Sequence, residues 1–198
     1  MTGRGRQAAT NHPARDRLKG LSLITGGTRS GKSRFALEAA GRLGRRIVYL
    51  ATCQAADGEM RRRVVRHQRQ RPKSWTTIEH PADPAQAIAR LDGKVEGVIL
   101  DCLTLYVSEL LLRGHSDAAI QRQVRRLCQA ARRVSCPVLM VTNEVGSSVV
   151  PDHELGRRFR DLAGLANQIA ADCADQVFLL VAGIPVQIKS AGHQGGAS

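Results

Sequence analysis

The residues best suited to chemistry form one run, Gly26-Gly27-Thr28-Arg29-Ser30-Gly31-Lys32-Ser33, which reads GxxxxGK[ST]. It follows an apolar stretch of strand length, Leu21–Thr25, and precedes a stretch of helical spacing. In that setting the glycines let backbone N–H groups turn inward around a phosphate, and the helix N-terminus adds favourable dipole charge. Lys32 would reach the β and γ oxygens and Ser33 would offer its hydroxyl to magnesium. Such a loop needs an acid at the end of a neighbouring strand, and Val98-Ile99-Leu100-Asp101 supplies one. Asp101 could instead cap the helix expected from Thr104. Asn143-Glu144 ends another apolar run, where ligands gather in open α/β sheets, although a polar loop before Gly146 and Ser147 would read the same way.

A second chemical candidate is His67, which sits in the most cationic segment of the chain. Residues 61 to 73 carry seven Lys or Arg and no acid. At about 100° per residue, Met60, Val64 and His67 fall within roughly 60° of one another, so His67 is expected to share an inward apolar stripe. Taken locally, such a histidine is a packed, hydrogen-bonded side chain and the arginines a solvated face. Beside a bound nucleoside triphosphate, the same imidazole would stay neutral among guanidinium groups and could attack phosphorus. The arginine forks would meanwhile neutralise phosphate oxygens.

Positioning these groups requires strands that alternate with helices. Apolar runs at Leu21–Thr25, Arg46–Ala51, Gly97–Leu100, Val138–Thr142 and Gln176–Val181 read as strands, with shorter ones at Thr76–Glu79 and Pro185–Lys189. Helices are expected at Lys32–Leu43, Asp57–Gln70, Pro84–Leu91, Thr104–Leu112, Ser116–Val134 and Gly156–Ala174. Asp83 before Pro84, and Ser116, have the chemistry of helix caps. The pattern predicts an α/β fold, a mostly parallel sheet with helices on both faces. A single catalytic domain is expected over 21–189, with a disordered basic extension over 1–20 and a flexible tail over 190–198.

Composition narrows the function classes. The 198 residues hold 30 Lys+Arg against 17 Asp+Glu, a formal charge of +13, which suits anionic substrates or a nucleic-acid backbone. Three Phe, two Tyr and one Trp are too few for a base-stacking platform. Five cysteines without a CxxC pair argue against a zinc site or a disulfide framework. No apolar run approaches membrane-spanning length, and the N-terminal segment is basic and polar without an apolar signal core, so the expected compartment is the cytoplasm. The residues alone leave room for a small-molecule kinase and for a nucleic-acid-associated ATPase.

Four segments in order resemble the bifunctional adenosylcobinamide kinase/adenosylcobinamide-phosphate guanylyltransferase family of cobalamin biosynthesis. They are Thr25 to Arg34, Tyr49 to Gln54, Glu59 through His67 to Pro72 and Trp75, and Val141 to Gly146 with Val150-Pro151. Arg158 to Gly164 and Asn167 add to the likeness. The resemblance implies phosphorylation of adenosylcobinamide by an NTP, followed by transfer of GMP from GTP through a guanylylated His67. It implies nucleotide contacts at Gly27, Thr28, Arg29, Ser30, Gly31, Lys32, Ser33 and Arg34. Further nucleotide contacts fall at Cys53, Gln54, Ala55, Gln68, Arg69, Gln70, Arg71, Glu79 and Asp101. Lys32 would take part in catalysis, and Ser33 and Asp101 would hold Mg2+. A sheet related to RecA-type P-loop NTPases, ATP and GTP as substrates, adenosylcobinamide and its phosphate as partners, no nucleic acid and a homotrimer are the remaining implications.

Overall fold

The computed structural model describes residues 18–52, 58, 68, 71–146 and 150–190. Within them, seven strands form one sheet: β1 (Leu21–Gly26), β2 (Ile47–Ala51), β3 (Thr76–Glu79), β4 (Gly97–Asp101), β5 (Val138–Val141), β6 (Gln176–Val181) and β7 (Ile184–Lys189). The described helices are α1 (Lys32–Ala40), α2 (Pro84–Ala89), α3 (Leu103–Leu112), α4 (Asp117–Arg133) and α5 (Glu154–Cys173). Sheet order is β3-β2-β4-β5-β1-β6-β7; all neighbours are parallel except the β6–β7 hairpin.

Strands β1, β2, β4 and β5 are largely apolar, buried runs because both of their faces are covered, whereas β3 at the sheet's edge is partly exposed. Alternate residues of β1 divide accordingly. Leu21 and Leu23 belong to the buried cluster that includes residues of α2, α3, α4 and α5, whereas Ile24 belongs to the cluster that holds Phe35, Ala36, Ala39 and Ala40 of α1 on the opposite face. The result is a three-layer α/β fold with a mixed, mostly parallel sheet. Phe35 and the fully buried Phe178 meet with ring centroids 5.4 Å apart and planes tilted by 52°, fastening α1 to β6. Truncating such a core phenylalanine to alanine costs about 3–5 kcal/mol.

Element ends follow local chemistry. Asp83 accepts a hydrogen bond from the Gln86 N–H and Ser116 from the Ala119 N–H, so both expected caps are present. Helix α1 stops at Ala40, three residues before the expected end, because the chain tightens there through Arg42 N–H to Ala39 O and Leu43 N–H to Ala40 O bonds. Helix α5 begins at Glu154, ahead of the expected Gly156. Leu18 falls in the stretch expected to be a loose extension, yet it is buried against the α1 layer. Residues 1–17 of that extension, the tail from 191 and most of the expected helix Asp57–Gln70 lie outside the described residues. Cys128, Cys136 and Cys173 are unbridged thiols, and Cys53 is outside the described residues. Edge strand β7 turns Ile184, Val186 and Ile188 to solvent.

Candidate active site

All the described candidate residues stand at the carboxyl edge of the sheet, the side on which α/β folds gather ligands. Strand β1 ends at Gly26, whose φ of 146° suits glycine; a Cβ there would lie 2.5 Å from the Leu180 carbonyl oxygen and 2.9 Å from Ser30 Oγ. The chain then turns through a Ser30 N–H to Gly27 O bond of 3.2 Å, with Arg29 at φ 58°. Gly31, at φ 96°, is the N-cap of α1, and no side chain caps that helix, so its first N–H groups face the loop. Lys32 is only 7% exposed, and its Nζ donates to Gly27 O at 2.6 Å and Ser30 Oγ at 3.4 Å. The ammonium is thus folded into the loop, on the side where the backbone turns. From the opposite side, the tip of the β6–β7 hairpin closes on the loop through a Gly183 N–H to Ser30 O bond of 2.9 Å.

Asp101 ends β4 and does not cap the following helix. Its Oδ2 accepts from Ser33 Oγ at 3.1 Å and from Tyr49 Oη at 2.5 Å. The N-cap of α3 is Cys102, whose side chain makes no capping bond to the helix. Burial, then the Asp101 charge, pushes the Tyr49 phenol well above its usual range, so it stays a proton donor to the carboxylate. A hydroxyl and a carboxylate are hard oxygen donors, a set that suits Mg2+ bound largely through substrate phosphates. Among the described residues, no group of three or more His, Cys, Asp or Glu side chains could hold a metal by itself.

Tyr49 also carries Arg71 on its ring, with the guanidinium carbon 3.7 Å from the ring centroid. Arg71 Nη1 donates to Glu79 Oε1 at 3.1 Å and Thr77 Oγ1 at 3.3 Å, and Gln68 Nε2 reaches the same Glu79 oxygen at 3.0 Å. The Arg71 side chain is only 7% exposed, and its Nε is the buried side-chain donor left without a partner among the described residues. Hydrogen bonds and stacking therefore run from Gln68 and Glu79 through Arg71 and Tyr49 to Asp101 and Ser33.

The structure thus brings together Lys32, Ser33 and Asp101, and separately Gln68, Arg71 and Glu79. Gly27, Thr28, Arg29, Ser30, Gly31 and Arg34 form or flank the loop. Cys53, Gln54, Ala55, His67, Arg69 and Gln70 lie outside the described residues. Tyr49 has no assigned role in the sequence analysis, although a tyrosine in a buried strand needs a partner for its hydroxyl, and that requirement was its signal. A second pair also escaped notice: His80, at φ 48° after β3, places Nε2 2.8 Å from Glu109 Oε2, and Glu109 pairs with Arg113. At the end of β5, Glu144 Oε1 accepts from Thr25 Oγ1 and from Asn167 Nδ2.

Fold and site together define a three-layer α/β protein whose glycine-rich strand-to-helix turn, lysine and carboxylate converge at one edge of the sheet. The family described as cobinamide kinase / cobinamide phosphate guanyltransferase matches residues 22–188, and the chain belongs to that family. It is similar to the bifunctional adenosylcobalamin biosynthesis protein CobU of Escherichia coli, 38% identical over 181 residues that cover 85% of this chain and 99% of the relative. The protein of the same description from Salmonella typhimurium is 40% identical over 181 residues, with the same coverage. The bifunctional adenosylcobalamin biosynthesis protein CobP of Pseudomonas aeruginosa is 38% identical over 167 residues, 84% of this chain and 96% of the relative. The chain is accordingly a bifunctional cobinamide kinase and guanylyltransferase of cobalamin biosynthesis. This membership decides against the nucleic-acid ATPase and against a kinase with one reaction only. Among the described residues, no helix is long and apolar enough to cross a membrane.

Proposed function

We propose that the loop Gly26–Ser33 is a RecA-type P-loop and that it binds the phosphates of both ATP and GTP. In the first reaction an NTP phosphorylates the aminopropanol hydroxyl of adenosylcobinamide; in the second, GMP passes from GTP to the new phosphate. The observation that carries this reading is the convergence of Lys32, Ser33 and Asp101 on one loop, with Ser33 Oγ 3.1 Å from Asp101 Oδ2. Phosphoryl transfer is chiefly positioning and charge neutralisation, which backbone N–H groups and a lysine supply. Ser33 and Asp101 would hold Mg2+, which when bound neutralises charge on the phosphate oxygens.

The guanylyl transfer is assigned to His67. Its neutral imidazole attacks the α-phosphorus of GTP; the P–N bond forms as the bond to pyrophosphate breaks, and Lys32 steadies the leaving charge. An oxygen of adenosylcobinamide phosphate then attacks the same phosphorus and releases the imidazole, so two in-line displacements give adenosylcobinamide-GDP. Cys53, Gln54, Ala55, Gln68, Arg69, Gln70, Arg71 and Glu79 are proposed to line the GTP site. The buried Arg71 Nε without a partner and the Glu79 contacts to Gln68 support a polar ligand beside them. A cytoplasmic enzyme with its catalytic domain over 21–189 and a homotrimeric assembly complete the proposal, the apolar outer side of β7 offering surface for association.

The test supplies adenosylcobinamide, Mg2+ and ATP, then GTP, and follows the corrinoid by mass. The expected sequence is the phosphate ester first and the GDP derivative only after GTP is added, with Lys32→Ala slowing the first step at least 100-fold. A phosphate ester formed at the wild-type rate by Lys32→Ala would overturn the assignment of the loop.

A further inference from the structure

Three acids stand at the carboxyl ends of the described strands, and two of them are committed. Glu79 is ion-paired with Arg71, and Asp101 accepts two hydroxyls at Oδ2 and is assigned to the metal. The third, Glu144, is tied differently. Its backbone N–H donates to Gly26 O at 3.1 Å, which sets the residue against the first glycine of the loop. Both side-chain bonds converge on Oε1, from the hydroxyl of buried Thr25 and from Asn167 Nδ2 at 3.1 Å. Asn167 is fixed in turn: its Oδ1 accepts from Thr142 Oγ1 at 2.6 Å and its Nδ2 donates to Asn143 O at 3.0 Å. Thr142 meets Thr104, whose hydroxyl accepts from the Asn143 N–H at 2.8 Å.

Both donors to Glu144 are neutral, and among the described residues no ion pair reaches this carboxylate. A negative group beside a phosphate-binding loop repels the nucleotide, and a glutamine would satisfy Thr25 and Asn167 equally well. The carboxylate is therefore not explained by the network that holds it, whereas a proton acceptor has to be ionised and rigidly aimed. Resting on the kinase reading above, we propose that Glu144 is the general base of the phosphoryl-transfer reaction and that Thr25 and Asn167 position it. The acceptor alcohol loses its proton to the Glu144 carboxylate as its oxygen bonds to the γ-phosphorus. The bond from that phosphorus to the bridging oxygen breaks, and the electron pair leaves with the nucleoside diphosphate.

The test is Glu144→Gln, which keeps an acceptor for Thr25 and Asn167 and removes only the basic oxygen. Guanylylation of the protein by GTP needs no alcohol deprotonation and serves as the control in the same molecule. Expected are a fall of at least about 100-fold in kcat for adenosylcobinamide phosphorylation, with protein labelling from GTP and ATP affinity within about twofold of wild type. Glu144→Asp, which keeps the carboxylate but draws it back by one methylene, should turn over at a rate between wild type and Glu144→Gln. Kinase turnover within threefold of wild type would overturn the proposal. So would an equal fall in phosphorylation and labelling, which would make Glu144 a structural tie. Failure of the wild-type protein to phosphorylate adenosylcobinamide would instead refute the kinase reading itself.

Discussion

Tyr49→Phe isolates one hydrogen bond at the centre of the site. The phenol is 3% exposed and donates to Asp101 Oδ2 at 2.5 Å, while its ring lies 3.7 Å beneath Arg71. Phenylalanine keeps the ring, and with it the cation–π contact, so the hydroxyl alone is lost. A hydrogen bond to a charged acceptor contributes about 1.5–3 kcal/mol. Asp101 is half-buried and keeps its Ser33 donor, so water recovers part of the loss and the lower half of that range, about 2 kcal/mol, applies. For a chain of this length that corresponds to a drop of about 4–8 °C in Tm. Urea unfolding of wild type, Tyr49→Phe, Asp101→Asn and the double variant gives the coupling energy directly. A coupling below about 0.5 kcal/mol, or a Tyr49→Phe variant as stable as wild type, would refute the view that this bond holds Asp101.

Two further outcomes are expected. Gly26→Ala should lower Tm by several degrees, because its Cβ would meet the Leu180 carbonyl at 2.5 Å at φ 146°, whereas Gly27→Ala, with no neighbour within 4 Å of its Cβ, should melt as wild type. Stability should also erode at alkaline pH: burial and then the Asp83 charge push Tyr106 up to about 12, burial and then Cys173 push Cys128 up to about 12, and Tyr49 is raised as well. The folded chain thus keeps protons that the unfolded chain releases, so the contribution is full below pH 9 and lost as pH rises toward 12; urea midpoints at pH 8 and pH 11 check it, and a midpoint unchanged between them would contradict the sign.

Much of the fold was legible because buried parallel strands announce themselves as apolar runs. β1, β2, β4 and β5 are such runs, and Asp83 and Ser116 carry their caps in the residue type. Helix ends were less legible: α1 stops where the backbone tightens, which apolar spacing does not encode. The same division holds for the site. The turn from Gly26 to Ser33 could be read from its spacing, because a glycine-rich strand-to-helix turn is continuous in the chain. The Tyr49–Asp101 and Thr25–Glu144–Asn167 contacts join residues 52, 119 and 23 positions apart, and only the strand order β2-β4-β5-β1 and the placing of α5 make them neighbours. His80 and Glu109 likewise meet across 29 residues through the packing of α3.

The central claim is that one chain both phosphorylates adenosylcobinamide and carries GMP on His67. Purified protein incubated with Mg2+ and GTP labelled at the α-phosphate, without corrinoid, tests it most directly, with His67→Ala as the comparison. The account predicts label that survives denaturation, is labile to acid and stable to alkali, is absent from the variant, and moves to adenosylcobinamide phosphate when that acceptor is added. An unlabelled wild-type protein with GTP demonstrably bound, or equal labelling of His67→Ala, would contradict it.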